Sequence, residues 1–235
     1  MALRRLAIEA DGEALLVLLP GFLNTPGAYA DLLAPLAAHG TSVVSEQLYA
    51  RGPAALTGRF TVRQEAAAAA DLVRRETAAR RPRTVVLAGH SRGGQAAFLA
   101  AGLLATAGDQ LDAVALIDPV DGEGRAPTAP TSTAGGAAAF SRRALVLGAA
   151  LGGRCAPDPV NHTVFAAAIP QARHVVVREL GHTDMLGGRS RTFGRRLCGG
   201  APDPDPGRAA CTELLAALVD DDLGRVTGPL LDWRR

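Results

Sequence analysis

The run Thr84-Val85-Val86-Leu87-Ala88 leads directly into Gly89-His90-Ser91-Arg92-Gly93-Gly94 and then into the alanine-rich stretch Gln95-Ala96-Ala97-Phe98-Leu99-Ala100. A β-branched strand, then G-x-S-x-G, then a helix is an arrangement that few folds accommodate. The turn is so tight that glycines must flank the serine, and it lifts the Ser91 hydroxyl above the edge of the sheet. An ordinary Gly-Ser turn would explain the glycines, but not the strand before them and the helix after. Gly94 adds room for that helix to pack closely.

The rest of the chain alternates in the same way. Ala14–Leu19 is continuously apolar, as a strand buried on both faces of a parallel sheet must be. Thr25-Pro26 reads as the start of a helix through Tyr29, Leu32, Leu33 and Leu36, stopping at Gly40, and Thr41–Ser45 as a short strand. Thr61 and Gln64 form a capping box for a helix over Val62–Arg80, which Pro82 ends. Ala113–Ile117, Ala144–Leu147 and His174–Val177 are further strands, and Thr212–Val219 a final amphipathic helix. Strands separated by helices imply an α/β fold with a mainly parallel, doubly wound sheet, and 235 residues fit one such domain. The stretch between Val120 and Arg143 has no periodicity; it follows a strand and reads as a lid or pocket wall.

Composition excludes several classes. A net charge of +2 is too small for a nucleic-acid binder, and all 25 basic residues are arginine, a bias of GC-rich coding. With only 4% aromatic residues the core must be built from Ala, Val and Leu. No segment is apolar for long enough to span a bilayer, and Glu9, Asp11 and Glu13 interrupt any export signal, so the expected location is cytoplasmic. Free thiols are then expected at Cys155, Cys198 and Cys211, with a Cys198–Cys211 bridge across the proline-rich loop 199–210 as the alternative in an oxidising compartment. Asp118, Asp121, Glu123 and Asp184 lack the spacing of a calcium loop, and neither metal nor cofactor is expected.

A serine hydroxyl is a poor nucleophile until a histidine takes its proton and an acid holds that imidazole in the right tautomer. Chain order and strand placement favour His182, in the Gly-bounded loop after the strand that His174 opens. His162 is a weaker rival, His90 reads as a packing residue behind the strand-to-helix elbow that carries Ser91, and His39 sits at a helix C-terminus. Asp118, at the end of Ala113–Ile117, and Asp158 are equally placed as the acid. Pro119 should restrict Asp118 to an extended backbone. Oxyanion stabilisation needs two backbone N–H groups, and the amides of Arg92 and Phe22 are the candidates.

The segments LPGFLNTPGAYADLLAPLAAHG, GHSRGGQAAFLA, ALIDPVDG, CAPDPVNHTVF and GHTDML, in this order, resemble the chlorophyllases, serine esterases of the α/β-hydrolase fold. The resemblance spans roughly Glu13 to Leu218. It implies Ser91 as nucleophile, Asp118 as acid and His182 as base, and so decides between Asp118 and Asp158. Two departures are Pro20, where plant members have histidine, and the second carboxylate of Asp121 after the DPV step. The family cleaves a long-chain ester of a tetrapyrrole propionate, but a lysine-free, bacterial-looking chain gives little reason to expect that pigment. The expected activity is therefore hydrolysis of a carboxylic ester of a bulky hydrophobic molecule through an acyl-enzyme. A thioesterase, acyltransferase or cyclase using the same triad, and a ligand-shaping scaffold with an idle serine, are the alternatives.

Overall fold

The computed structural model describes residues 4–48, 61–123, 127–135 and 142–234. Its strands are β1 (Arg5–Ile8), β2 (Ala14–Leu19), β3 (Thr41–Glu46), β4 (Thr84–His90), β5 (Ala113–Ile117), β6 (Arg143–Leu151), β7 (Arg173–Gly181) and β8 (Leu231–Arg234). They form one sheet in the order β1-β3-β2-β4-β5-β6-β7-β8. The six inner strands are parallel, and β1 and β8 pair antiparallel at the two edges.

The helices are α1 (Ala30–Ala38), α2 (Val62–Arg80), α3 (Arg92–Ala107), α4 (His162–Ala168), α5 (Gly188–Cys198) and α6 (Asp205–Val219). Successive β2 side chains point to opposite faces, and both faces are covered. Leu16 and Leu18 pack under Leu32, Leu36, Leu214 and Leu218 of α1 and α6. Leu15, Val17 and Leu19 pack under Leu72, Phe98 and Leu104 of α2 and α3. This two-sided burial is why β2 is an unbroken apolar run rather than an alternating one.

The capping box at Thr61 and Gln64 is present: the Gln64 amide donates to Thr61 Oγ1 at 3.2 Å, and Thr61 N–H donates back to Gln64 Oε1 at 2.9 Å. Thr25 makes no such bond; Pro26–Tyr29 is a 3-10 turn that hands over to α1. The region read as a loop over 199–210 is helical from Asp205, because Pro204 and Pro206 stand where a helix start tolerates proline.

The cysteines meet the expectation of free thiols at Cys211 and depart from it at Cys155 and Cys198. Cys211 lies inside α6 with its side chain fully buried in the core, and it is not bridged to Cys198. Cys198 instead bonds Cys155, with 5.3 Å between their Cα atoms, so neither is a free thiol. Closing a loop across a sequence separation of 43 is worth about 4 kcal/mol in the chain-entropy picture.

Candidate active site

Parallel strands end on one rim, and three of them deliver the site. Ser91 follows β4, Asp118 follows β5 and His182 follows β7. Ser91 sits at φ 55°, ψ −124°, a conformation that side chains other than glycine avoid, at a cost of about 1–3 kcal/mol. Its surroundings hold it there. Its N–H donates to the Ile117 carbonyl at 3.1 Å, and its carbonyl accepts from Gly94 at 2.9 Å and Gln95 at 3.2 Å. A Cβ on Gly89 would lie 2.1 Å from the Gly93 oxygen, and one on Gly93 would lie 2.2 Å from the Leu19 oxygen. The glycines of G-x-S-x-G are thus dictated by backbone passing over backbone. Gly94 has its own reason, since a Cβ there would meet Pro119 at 2.8 Å.

Ser91 Oγ lies 3.0 Å from His182 Nε2, and His182 Nδ1 lies 2.7 Å from Asp118 Oδ2. Asp118 is fully buried and His182 is 5% exposed. The second oxygen of Asp118 accepts from the Ala149 amide at 2.9 Å. A carboxylate there takes the Nδ1 proton as its hydrogen bond, which leaves Nε2 bare toward the serine hydroxyl. The expected extended backbone at Asp118 is not found: its φ is 40°. Its N–H donates to the Leu147 carbonyl at 2.6 Å, so pairing to β6, rather than Pro119, sets the direction of the carboxylate.

The competing residues lie elsewhere. His162 packs its ring on the Gly148 backbone and meets His174 at 2.9 Å, Nδ1 to Nε2. Asp158 sits in a 3-10 turn and accepts from the Asn161 side chain at 3.2 Å. Asp121, which sequence reading left as a spare carboxylate, clamps the segment after it. It accepts the amides of Thr131, Ser132 and Thr133 and the side chain of Gln95. Burial pushes its pKa up, but the amides of Ser132, Thr133 and Thr131 together with the Thr133 hydroxyl, which donates to Oδ2 at 2.7 Å, outweigh burial and hold it below the usual carboxylate range. The clamp fixes the described part of the segment read as a lid, 127–135, and Pro127 and Thr128 face the cavity; residues 124–126 and 136–141 lie outside the described residues.

Behind the serine lies a buried relay that the sequence did not reveal. His90 Nε2 faces the His182 carbonyl at 2.8 Å, so this nitrogen carries the proton. Burial, and after it the neighbouring His182, pushes the His90 pKa down to about 3, leaving the ring neutral and Nδ1 bare. Tyr29 O–H therefore donates to Nδ1 at 2.7 Å, and the Tyr29 oxygen accepts the Gly21 amide at 2.9 Å. One line of hydrogen bonds so joins the turn after β2, the elbow and the His182 loop. The turn is closed by Asn24 N–H to the Gly21 carbonyl at 3.0 Å, with Leu23 at φ 61°. Tyr29→Phe should strip the Gly21 amide and His90 Nδ1 of a buried partner. A loss of roughly 1–3 kcal/mol is expected in a denaturant melt, with lower turnover because the Phe22 turn loses its tether.

The same ring sets a pH dependence. The folded-state pKa of His90 lies below its unfolded value, so the unfolded chain binds the extra proton as pH falls from about 6.5 toward 3. Stability is fully present above that window and should decline within it as the unfolded chain takes up the proton that the folded ring refuses. Melts between pH 7.5 and 5 check this, and His90→Asn should make the slope shallower, leaving the share of His162 and His174, whose pKa values burial also lowers.

Arg92 opens α3 beside Ser91, and its guanidinium turns away to Glu65, Nε to Oε2 at 2.8 Å. Burial pushes the Glu65 carboxyl up to about 7 against the opposing pull of Arg92. Above the serine opens a cavity of about 700 Å³. Phe22, Leu186, Phe193 and Leu197 give it apolar walls, and both disulfide cysteines line it. No group of three or more His, Cys, Asp or Glu side chains suited to a metal occurs among the described residues. No helix there is long and apolar enough to cross a membrane.

Several solved structures share this architecture. A ferulic acid esterase from Streptomyces cinnamoneus superposes with a TM-score of 0.62 at 22% identity, covering 95% of this chain and 71% of that one. Est1E from Butyrivibrio proteoclasticus with ferulic acid bound gives 0.64 at 12% identity, covering 93% and 96%. A "predicted CIB-like hydrolase" from Thermoplasma acidophilum gives 0.58 at 15%, covering 92% and 94%. At such identities the likeness establishes the α/β-hydrolase fold. No curated protein matches the sequence. The chlorophyllase family model does match it, over residues 9–223, a span that takes in the elbow, the DPV step and the GHTDML loop. On that match the chain belongs to the chlorophyllase family, a family of ester hydrolases.

Proposed function

We propose that the protein cleaves a carboxylic ester of a bulky hydrophobic molecule through an acyl-enzyme on Ser91, with His182 as base and Asp118 as the acid that orients it. One observation carries the reading: hydrogen-bonded contacts of 3.0 Å and 2.7 Å run from Ser91 through His182 to Asp118 beneath a largely apolar cavity. As Ser91 Oγ attacks the carbonyl carbon, His182 Nε2 takes its proton, and the buried carboxylate stabilises the imidazolium. The carbonyl oxygen becomes an oxyanion, held by the Phe22 and Arg92 amides. When the intermediate collapses, His182 gives its proton to the departing alcohol. Water then attacks the acyl-serine, His182 takes its proton and returns it to Ser91, and the acid leaves. The protons balance within these groups, and the steps call on no cofactor.

The Cys155–Cys198 bond favours an oxidising compartment over the cytoplasmic location expected from composition. Rapid mixing with p-nitrophenyl esters of increasing chain length tests the reaction. The expected result is a burst of one nitrophenol per chain, with kcat/KM rising with acyl bulk. Turnover of no ester in the series would refute the proposal. Partition of the acyl group to added alcohols or amines in preference to water would turn it into an acyltransferase.

A further inference from the structure

Helix α5 is built the wrong way round for a helix that only supports a core. It packs on the body through Gly194, where a Cβ would lie 2.7 Å from Thr183, and turns Phe193 and Leu197 outward at 65% and 53% exposure. Five large hydrophobic residues are notably exposed among the described residues. Leu23, Phe193 and Leu197 line the cavity, and Leu151 ends β6 two residues before Gly153, whose backbone abuts Cys198. Four of the five thus share one rim, and only Leu103 lies elsewhere. Exposed apolar residues scattered singly mean little, but a cluster around a pocket mouth marks a contact surface.

Charge says what the contact is. The chain as a whole is nearly balanced at +2, yet the eleven residues of α5 hold four arginines and no acid. Asp184 and Asp205 are committed to Arg195 and Arg191. Arg154, Arg189 and Arg196 are exposed and have no ion-pair partner among the described residues, and all 23 acidic residues fall within those. Arg154 bonds only a neutral group, the Leu197 carbonyl, at 3.2 Å. A second copy of this chain is a poor occupant, because a two-fold contact would set these arginines against one another.

We propose that this rim docks on the surface of an anionic amphiphile layer, Phe193, Leu197, Leu23 and Leu151 entering the acyl region while Arg154, Arg189 and Arg196 meet negative headgroups. The cavity mouth would then open directly into the phase that holds a hydrophobic ester. The inference deepens the esterase reading by naming where its substrate is taken from.

Co-sedimentation with vesicles tests it, using phosphatidylcholine alone and an equal mixture of phosphatidylcholine and phosphatidylglycerol. Wild type and Ser91→Ala should both bind the mixed vesicles and bind the neutral ones far less. Each arginine removed should weaken binding about fivefold, so Arg189→Gln/Arg196→Gln should lose about 25-fold. Phe193→Ser/Leu197→Ser should lose at least about tenfold. Arg196 and Leu151 lie outside the cavity, so Arg196→Gln/Leu151→Ser should keep its turnover of a short water-soluble ester while losing vesicle binding. Absent binding, equal binding to both vesicles, or variants that bind like wild type would overturn the proposal. So would a dimer in solution that Phe193→Ser dissolves without any vesicle binding. If no ester is turned over but the binding pattern holds, the esterase reading falls and the docking surface stands; the reverse outcome removes the docking surface alone.

Discussion

Ser91→Ala should lower ester turnover by about 10⁶-fold, and adding His182→Ala to it should lower turnover no further. Both expectations come from one geometric fact, the 3.0 Å contact between Ser91 Oγ and His182 Nε2. If histidine acts only by taking the serine proton, its removal costs nothing once the hydroxyl has gone. The fold should survive, because Ser91 holds its strained backbone through main-chain bonds to Ile117, Gly94 and Gln95, and alanine keeps all three. Alanine at φ 55° is no more strained than serine. Steady-state assays of the two single variants and the double variant decide the point. Losses that multiply would mean that the two residues act separately.

Asp118→Asn should cost about 10⁴-fold in kcat with little change in KM or melting temperature. The site dictates which way an asparagine must face. The Ala149 amide donates to Oδ1, so only a carbonyl oxygen can stand there, and the NH₂ group is forced into the place of Oδ2, 2.7 Å from His182 Nδ1. An N–H donor at that point selects the tautomer with the proton on Nε2, which then faces the serine hydroxyl and cannot accept from it. The loss should therefore be chemical rather than structural. A decrease of less than tenfold would show that Asp118 does not set the tautomer.

What sequence could reveal depended on whether the controlling interaction was local. The elbow, β5 and the helix Val62–Arg80 were legible because strand periodicity, steric need for glycine and a capping box all act within a few residues. Asp118 and Asp158 could not be told apart from local pattern, since what separates them is pairing to β6 at Leu147 and Ala149. The edge strands β1 and β8 have four residues each and little apolar pattern, and they exist because a neighbouring edge offers them partners. Helix α5 was missed because its arginines gave no core-facing stripe; what it presents faces outward. The Cys155–Cys198 bond was hidden for a related reason, as that helix carries one of its two ends. Tyr29 was legible only as a residue of an apolar helix stretch, since its role arises from a hydrogen bond to His90, 61 positions away.

The central claim is that Ser91 is an activated nucleophile, and reaction with a fluorophosphonate followed by peptide mass spectrometry tests it most directly. One phosphonyl group per folded chain is expected, on the peptide containing Ser91, absent in Ser91→Ala and formed far more slowly in His182→Ala and Asp118→Asn. A folded wild-type protein that stays unlabelled, or that takes the label at another residue, would contradict it.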